Sequence, residues 1–310
     1  NGLEQVPVIS LNLAKLEKNP GFRLTLPLIY NLISAICYGD LLMLLANQVR
    51  PYELEKGATD EKVRQWVEEM VADKMGVLHF KRMARKIVAD FAKIPMARVP
   101  KVKVGIVGEI YIKYAPLGNN SLEAFLAKED VEVVVPGLLD FLLFSTDNRV
   151  VETRLFGTRY LRGMTAMLLK RILLRFQKDI IAVMKGYDIF TPPNDFEHIK
   201  SLRKGYLSEG NNMGEGWLLT GEMLELIESG THNIICTQPF GCLPNHIAGK
   251  GMIRRIREQH PEANIVAIDY DPGAARMNQE NRIRLMLENA RMKLYGGEAD
   301  SSINLARLSV

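Results

Sequence analysis

Two cysteines and a histidine stand close together in the segment Cys236-Thr237-Gln238-Pro239-Phe240-Gly241-Cys242-Leu243-Pro244-Asn245-His246. Thiolate sulfur is a soft ligand that suits zinc and iron–sulfur clusters. Cys242 lies between Gly241 and Leu243-Pro244, where a stiff loop can turn a sulfur outward. Cys236 sits in the apolar run Asn233 to Thr237, a place where cysteine more often acts as a small buried hydrophobe. Five residues separate the two sulfurs, not the two of a self-contained zinc site. Cys242, with Cys236 as the weaker candidate, is therefore read as a metal ligand that needs partners from other segments. His246 is either a further ligand or a hydrogen-bonding group. Gln238, Asn245 and His246 are polar neighbours able to donate to a metal-bound sulfur. Cys37, inside an apolar helical stretch, is expected in the core. Three cysteines do not make the even framework of a secreted disulfide protein, so a reduced, cytoplasmic chain is expected.

A second constellation is Asp269-Tyr270-Asp271-Pro272-Gly273. An acid at the end of a strand in an α/β sheet can bind a ribose hydroxyl, which makes Asp269 and Asp271 cofactor-binding candidates. Asp271 is equally suited to capping the helix that follows. The first strand runs into Val107-Gly108-Glu109-Ile110 without the G-x-G-x-x-G turn, and no G-x-x-x-x-G-K-[ST] occurs, so no self-contained nucleotide site is read. Gly210 to Gly216 is either an anion-binding glycine-rich turn or an ordinary loop. The stretch Arg149 to Lys178 carries eight basic residues against the single acid Glu152. It reads as a solvated helix face, or as a docking face for an acidic partner or the phosphates of a CoA-like molecule. Asn278, Gln279, Asn281 and Arg282 give the last helix a polar edge. No Gly-x-Ser-x-Gly elbow and no His-Glu-x-x-His motif is present.

Periodicity indicates which elements carry these residues. Helical spacing predicts helices over Thr25–Gln48, from Thr59, and over His79–Phe91, closed by Ile94-Pro95 and Val99-Pro100. Short apolar runs predict strands at Val102–Val107, Val131–Val135, Asn233–Thr237 and Asn264–Ile268. Between them helices are expected at Ser121–Ala127, Glu152–Lys185, Gly216–Ser229 and Lys250–Gln259, with a last helix over Ala274–Leu294. Alternating strands and helices mean a parallel sheet covered on both faces. Ligands then belong outside the carboxyl ends of the strands, which points to the loops Gly108–Asn120, Pro136-Gly137, Thr237–Gly249 and Asp269–Gly273. The expected organisation is a helical block with an extended lead-in over 1–100, an α/β lobe over 101–294 and a tail over 295–310.

The chain has 310 residues, 47% hydrophobic and 25% charged, which is ordinary for a globular protein of about two domains. Forty basic against 36 acidic residues leave +4, and no nucleic-acid partner is expected. Leu24–Leu45 is interrupted by Asn31, Ser34 and Asp40, short of the run of about 20 apolar residues that spans a bilayer. It is read as a core helix, with no membrane partner expected. Asn1-Gly2-Leu3-Glu4 lacks the pattern of a secretory signal, and because the chain opens without Met it is expected to extend upstream.

Gln238 to His246, Gly249-Lys250-Gly251, Ile268 to Gly273 and Asn278-Gln279-x-Asn281-Arg282 together resemble the carboxyl-terminal part of acyl-CoA dehydratase activase-related proteins. That part is similar to the 2-hydroxyacyl-CoA (2-hydroxyglutaryl-CoA) dehydratase component superfamily, which includes double-cubane-cluster proteins. Gly214-Glu215-Gly216-Trp217 and Arg50-Pro51-Tyr52-Glu53 fit the same resemblance, which covers most of residues 25–293. It implies a flavodoxin-like lobe that helps hold an oxygen-sensitive iron–sulfur cluster, with Cys242 in the place of the carboxyl-terminal ligand. It also implies an upstream activase module that hydrolyses ATP, an amino-terminal lobe carrying the other cluster cysteines, and a CoA thioester or other small substrate. The implied activity is a dehydratase-type lyase or an ATP-dependent reductase. The rival expectations are a non-catalytic lobe that docks the activase and, more weakly, a zinc domain. A homodimer is compatible with either.

Overall fold

The computed structural model describes residues 25–72, 79–157 and 160–296. Residues 1–24, which include the expected lead-in, and the expected tail beyond residue 296 lie outside the described residues, while Tyr295 still belongs to the last helix and Gly296 caps it. The chain opens with α1 (Leu26–Val49), whose Thr25 hydroxyl accepts the Leu28 N–H and whose first turn holds a proline. Next come α2 (Ala58–Ala72) and α3 (Phe80–Phe91). The order then alternates: β1 (Lys103–Gly108), α4 (Ile110–Tyr114), α5 (Leu122–Lys128), β2 (Glu132–Val134), α6 (Leu138–Phe156), α7 (Tyr160–Met184), α8 (Phe196–Leu202) and α9 (Trp217–Glu228). It ends with β3 (Asn233–Pro239), α10 (Leu243–Ala248), α11 (Ile253–Gln259), β4 (Asn264–Tyr270) and α12 (Arg276–Tyr295).

The four strands form one parallel sheet in the order β2-β1-β3-β4, so the fold is a flavodoxin-like α/β lobe preceded by helices. On one face, Val104, Ile106, Ile235 and Ile268 pack with Leu122, Phe125, Ile283 and Leu287 of α5 and α12. On the other, Val107, Ile234, Cys236 and Ile265 meet Met223, Leu226 and Ile256 of α9 and α11. Being covered on both sides explains the near-continuous apolar runs of β1 and β3.

A third core joins α1, α2 and α3 to α6, α7, α8 and the start of α9. The expected division at residue 100 therefore marks a change of topology without dividing the core, because α6 and α7 return to cover α1 and α3. The Leu26–Tyr52 segment is long and apolar enough to cross a membrane by composition. Here Cys37, Leu41, Leu45 and Val49 are fully buried in that helical core. Asp40 accepts the N–H groups of Leu138 (2.9 Å) and Leu139 (2.8 Å), capping α6.

Three local expectations are corrected. The single helix at Glu152–Lys185 is two antiparallel helices: α6 begins at Leu138 and ends where Gly157 takes a left-handed φ of 63°, and α7 runs on from Tyr160. Pro136-Gly137 is not an open ligand loop, since Asp40 fills it; a β-carbon on Gly137 would lie 2.7 Å from the Asp40 carboxylate. The expected loop Thr237–Gly249 contains a short helix, α10, after Cys242.

Candidate functional site around Cys242

Chain order runs from β1 outward to β2 and then back to β3, so loops diverge at the carboxyl ends of β1 and β3, where such sheets hold ligands. Gly108 closes β1 at φ 151°; a β-carbon there would lie 1.9 Å from the Thr237 carbonyl oxygen. Only glycine lets the two strand ends come this close. The Thr237 carbonyl in turn accepts the Glu109 N–H (3.1 Å).

Cys242 stands one residue before α10, half-buried, just beyond β3. Asn245, fully buried one turn on, donates from Nδ2 to the Cys242 sulfur (3.3 Å) and to Glu215 Oε2 (2.8 Å). The other Glu215 oxygen accepts the Ile110 N–H (3.3 Å). One buried carboxylate thus ties together the end of β1, the loop before α9 and the cysteine helix. Its neighbours must be glycines. Gly216 has φ 46°, and a β-carbon there would lie 2.2 Å from the Asn211 carbonyl oxygen. Gly210–Gly216 is therefore a packing turn holding Glu215. Beneath it, Lys113 of α4 and Glu222 of α9 form an ion pair (3.0 Å) with both side chains almost fully buried. That pair anchors the helix whose first N–H reaches Glu215.

Gln238, also fully buried, donates to Asp269 Oδ1 (2.5 Å) and faces His246 Nδ1 at 3.4 Å. Lys250 adds a 3.2 Å ion pair to Asp269, and His246 Nε2 lies 3.9 Å from it. Partial burial lifts the Asp269 carboxyl, but the Gln238 and Lys250 bonds and the nearby cations outweigh it and leave it below the usual range. Asp269 is thus occupied as the anchor of this cluster. Asp271 does not cap α12, which starts at Arg276 after an uncapped Ala275. Its Oδ1 accepts the Gly273 N–H (3.0 Å) within the turn, because Pro272-Gly273 folds the chain back before the helix begins. Gln279 explains the polar edge of α12: it donates to the Asp269 carbonyl (3.0 Å) and accepts from Asn120 (2.8 Å).

Cys236 is not brought to Cys242. Its sulfur is fully buried in the core of α9 and α11, where a β-carbon on Gly249 would approach it to 3.0 Å. Burial pushes its thiol up to about 12, with the Glu222 and Asp269 carboxylates adding to the effect. A neutral thiol packed among aliphatic side chains has no open side for a metal. Among the described residues no group of three or more His, Cys, Asp or Glu side chains could hold a metal ion.

Two further features mark the Cys242 surface. The Oδ1 of Asn245 and the Oε1 of Gln238 are buried without a hydrogen-bond partner. Around the cysteine the surface is apolar: Phe240 is 73% and Leu243 68% exposed, with Ile247 beside them on α10. Sequence reasoning found Cys242, Gln238, Asn245, His246 and Asp269 but missed Glu215 and Lys250 as members. Each is flanked by glycines, Gly214-Glu215-Gly216 and Gly249-Lys250-Gly251, and that is the signal that could have found them. Comparisons with protein-family models, with curated proteins and with solved structures returned no match.

Proposed function

We propose that Cys242 is one thiolate ligand of an iron–sulfur cluster completed by cysteines of a second lobe. On this reading the protein is of the 2-hydroxyacyl-CoA dehydratase type. It receives low-potential electrons from an ATP-hydrolysing activase module and acts on a CoA thioester or another small substrate, in a reducing cytoplasm. The observation that carries the reading is the setting of Cys242: a half-buried sulfur at the strand-end crevice, holding an N–H from Asn245 and ringed by exposed Phe240, Leu243 and Ile247.

The residues fit one corner of such a cluster. An amide donor to sulfur and an apolar surround are the protein's means of setting a cluster's potential. A bound cluster supplies one-electron transfer. Asn245, held by Glu215, orients its N–H to the ligand sulfur, and the apolar rim excludes water once a second lobe covers it. Asp269 and Lys250 keep Gln238 in place beside them. The resemblance of Gln238–His246 to the family's cysteine segment supports the same assignment.

The shortage of ligands among the described residues favours a second reading, a non-catalytic lobe that docks the activase. Iron and sulfide analysis of the full-length protein prepared without oxygen separates the two. The cluster reading expects iron and sulfide in the wild type and loss of both, with the visible spectrum, in Cys242→Ala. Unchanged iron in the variant refutes the assignment, and a wild type without iron favours docking.

A further inference from the structure

The basic stretch noted in the sequence lies on the α6–α7 hairpin, where Glu152 of α6 accepts an N–H from Asn212 of the Gly210–Gly216 turn (3.1 Å). Between Glu152 and Asp179 there is no acid, against seven cations. The closed end of the hairpin is apolar and exposed: Phe156 is 70%, Tyr160 74%, Leu161 77% and Leu168 61% accessible, with Met164 between them. These α7 residues recur at spacings of three and four and so share one face. The opposite face, Gly163, Ala166, Leu173 and Phe176, is buried. Gly163 sets α7 tightly on α6, since a β-carbon there would lie 2.8 Å from the Thr153 hydroxyl. The apolar tip is therefore presented by two helices in close contact.

Farther along, the exposed face of α7 turns cationic at Arg171, Arg175 and Lys178. Arg171 is 11 residues beyond Tyr160, about 16 Å along a helix. Arg162, Arg171 and Lys178 make no ion pair with a described residue, and Arg175 pairs only with Asp179 on its own helix. A second copy is a poor occupant, because it would set Arg162, Arg171 and Lys178 of one α7 against the same cations of another. An apolar tip flanked by exposed Arg154 and Arg162 and backed by further cations along α7 suits the boundary between headgroups and acyl chains at an anionic bilayer surface.

We propose that the α6–α7 hairpin is a contact site for an anionic lipid surface, with Phe156, Tyr160, Leu161, Met164 and Leu168 entering the interface and Arg171, Arg175 and Lys178 meeting the headgroups. The expectation of no membrane partner rested on the lack of a spanning run, which a surface contact does not need.

Flotation of the full chain with vesicles tests the proposal, comparing phosphatidylcholine alone with phosphatidylcholine plus phosphatidylglycerol. Binding is expected to the anionic vesicles only and to weaken with salt. Leu161→Asp with Met164→Asp abolishes it, and Arg171→Gln and Lys178→Gln each weaken it roughly fivefold. All four side chains are exposed, and circular dichroism verifies that the variants fold. No binding to anionic vesicles overturns the proposal, as does binding that ignores the substitutions. Retention on poly-glutamate without vesicle binding assigns the face to an acidic polypeptide instead. Self-association removed by Leu161→Asp assigns it to a second copy, and either result is a refutation.

Discussion

Burial separates the three thiols. It lifts Cys37 well above its ordinary value, with Asp40 adding, and lifts Cys236 to about 12, while Cys242 keeps an open side. Under native reducing conditions iodoacetamide should therefore modify Cys242, and peptide mass mapping should find Cys37 and Cys236 labelled only after denaturant is added. Labelling of Cys236 at the native Cys242 rate would contradict its placement. Glu215 is the other residue whose identity is demanding. Both its oxygens accept N–H groups, from Ile110 and Asn245, and an amide offers only one acceptor. Glu215→Gln sets an N–H against the Ile110 or Asn245 N–H, or makes the Asn245 amide flip and give up its bond to the Cys242 sulfur, at a cost of about 1–3 kcal/mol in urea unfolding. An unchanged midpoint would mean the carboxylate is not the tie described. Cys242, Gln238 and Asn245 were legible because chemistry-bearing side chains crowd one segment. Glu215 was not, because its partners are contributed by elements 30 and 105 residues away.

Among elements, the two glycine-dependent turns differ in what they tolerate. Gly157 ends α6 at φ 63° with nothing within 4 Å of a β-carbon, so Gly157→Ala should cost only the left-handed strain, about 1–2 kcal/mol. Gly108→Ala drives a methyl into the Thr237 backbone and should cost roughly 3 kcal/mol or more, the upper end for single substitutions. Equal losses in denaturant titrations would refute the close approach of β1 and β3. All four strands were legible from their apolar runs within a residue or two at each end. α8 and α10 were not, because seven and six residues are too few for a helical period to emerge beside proline and polar neighbours. The residues of α6 are apolar on several sides, so the helix showed no stripe, and its turn into α7 rests on one glycine within a continuous apolar-basic pattern.

Across the whole molecule, the join between helices and sheet is polar and titrates. Asp40 caps α6 from inside the core, and burial raises its carboxyl to about 6 from 3.8, against the opposing bonds from Leu139 and Leu138 and the charge of Lys113. A carboxyl raised on folding binds its proton more tightly in the native state. Its contribution is then greatest below about pH 4 and is lost as pH rises toward about 6. Relative to Asp40→Asn, the wild type should lose about 2–3 kcal/mol between those limits. Parallel pH dependences of the two proteins, measured by thermal unfolding, would place the Asp40 titration elsewhere.

The alternation of apolar runs, the cysteine segment and the absence of phosphate-binding turns can be read along the chain, because each depends on neighbours within a few residues. The pairing of α6 and α7 over α1, the sealing of Pro136-Gly137 by Asp40, the burial of Cys236 away from Cys242 and the Glu215 tie became visible only in three dimensions. Each is a contact across tens of residues, where packing density and the need to satisfy buried polar groups select the partner and local propensity does not.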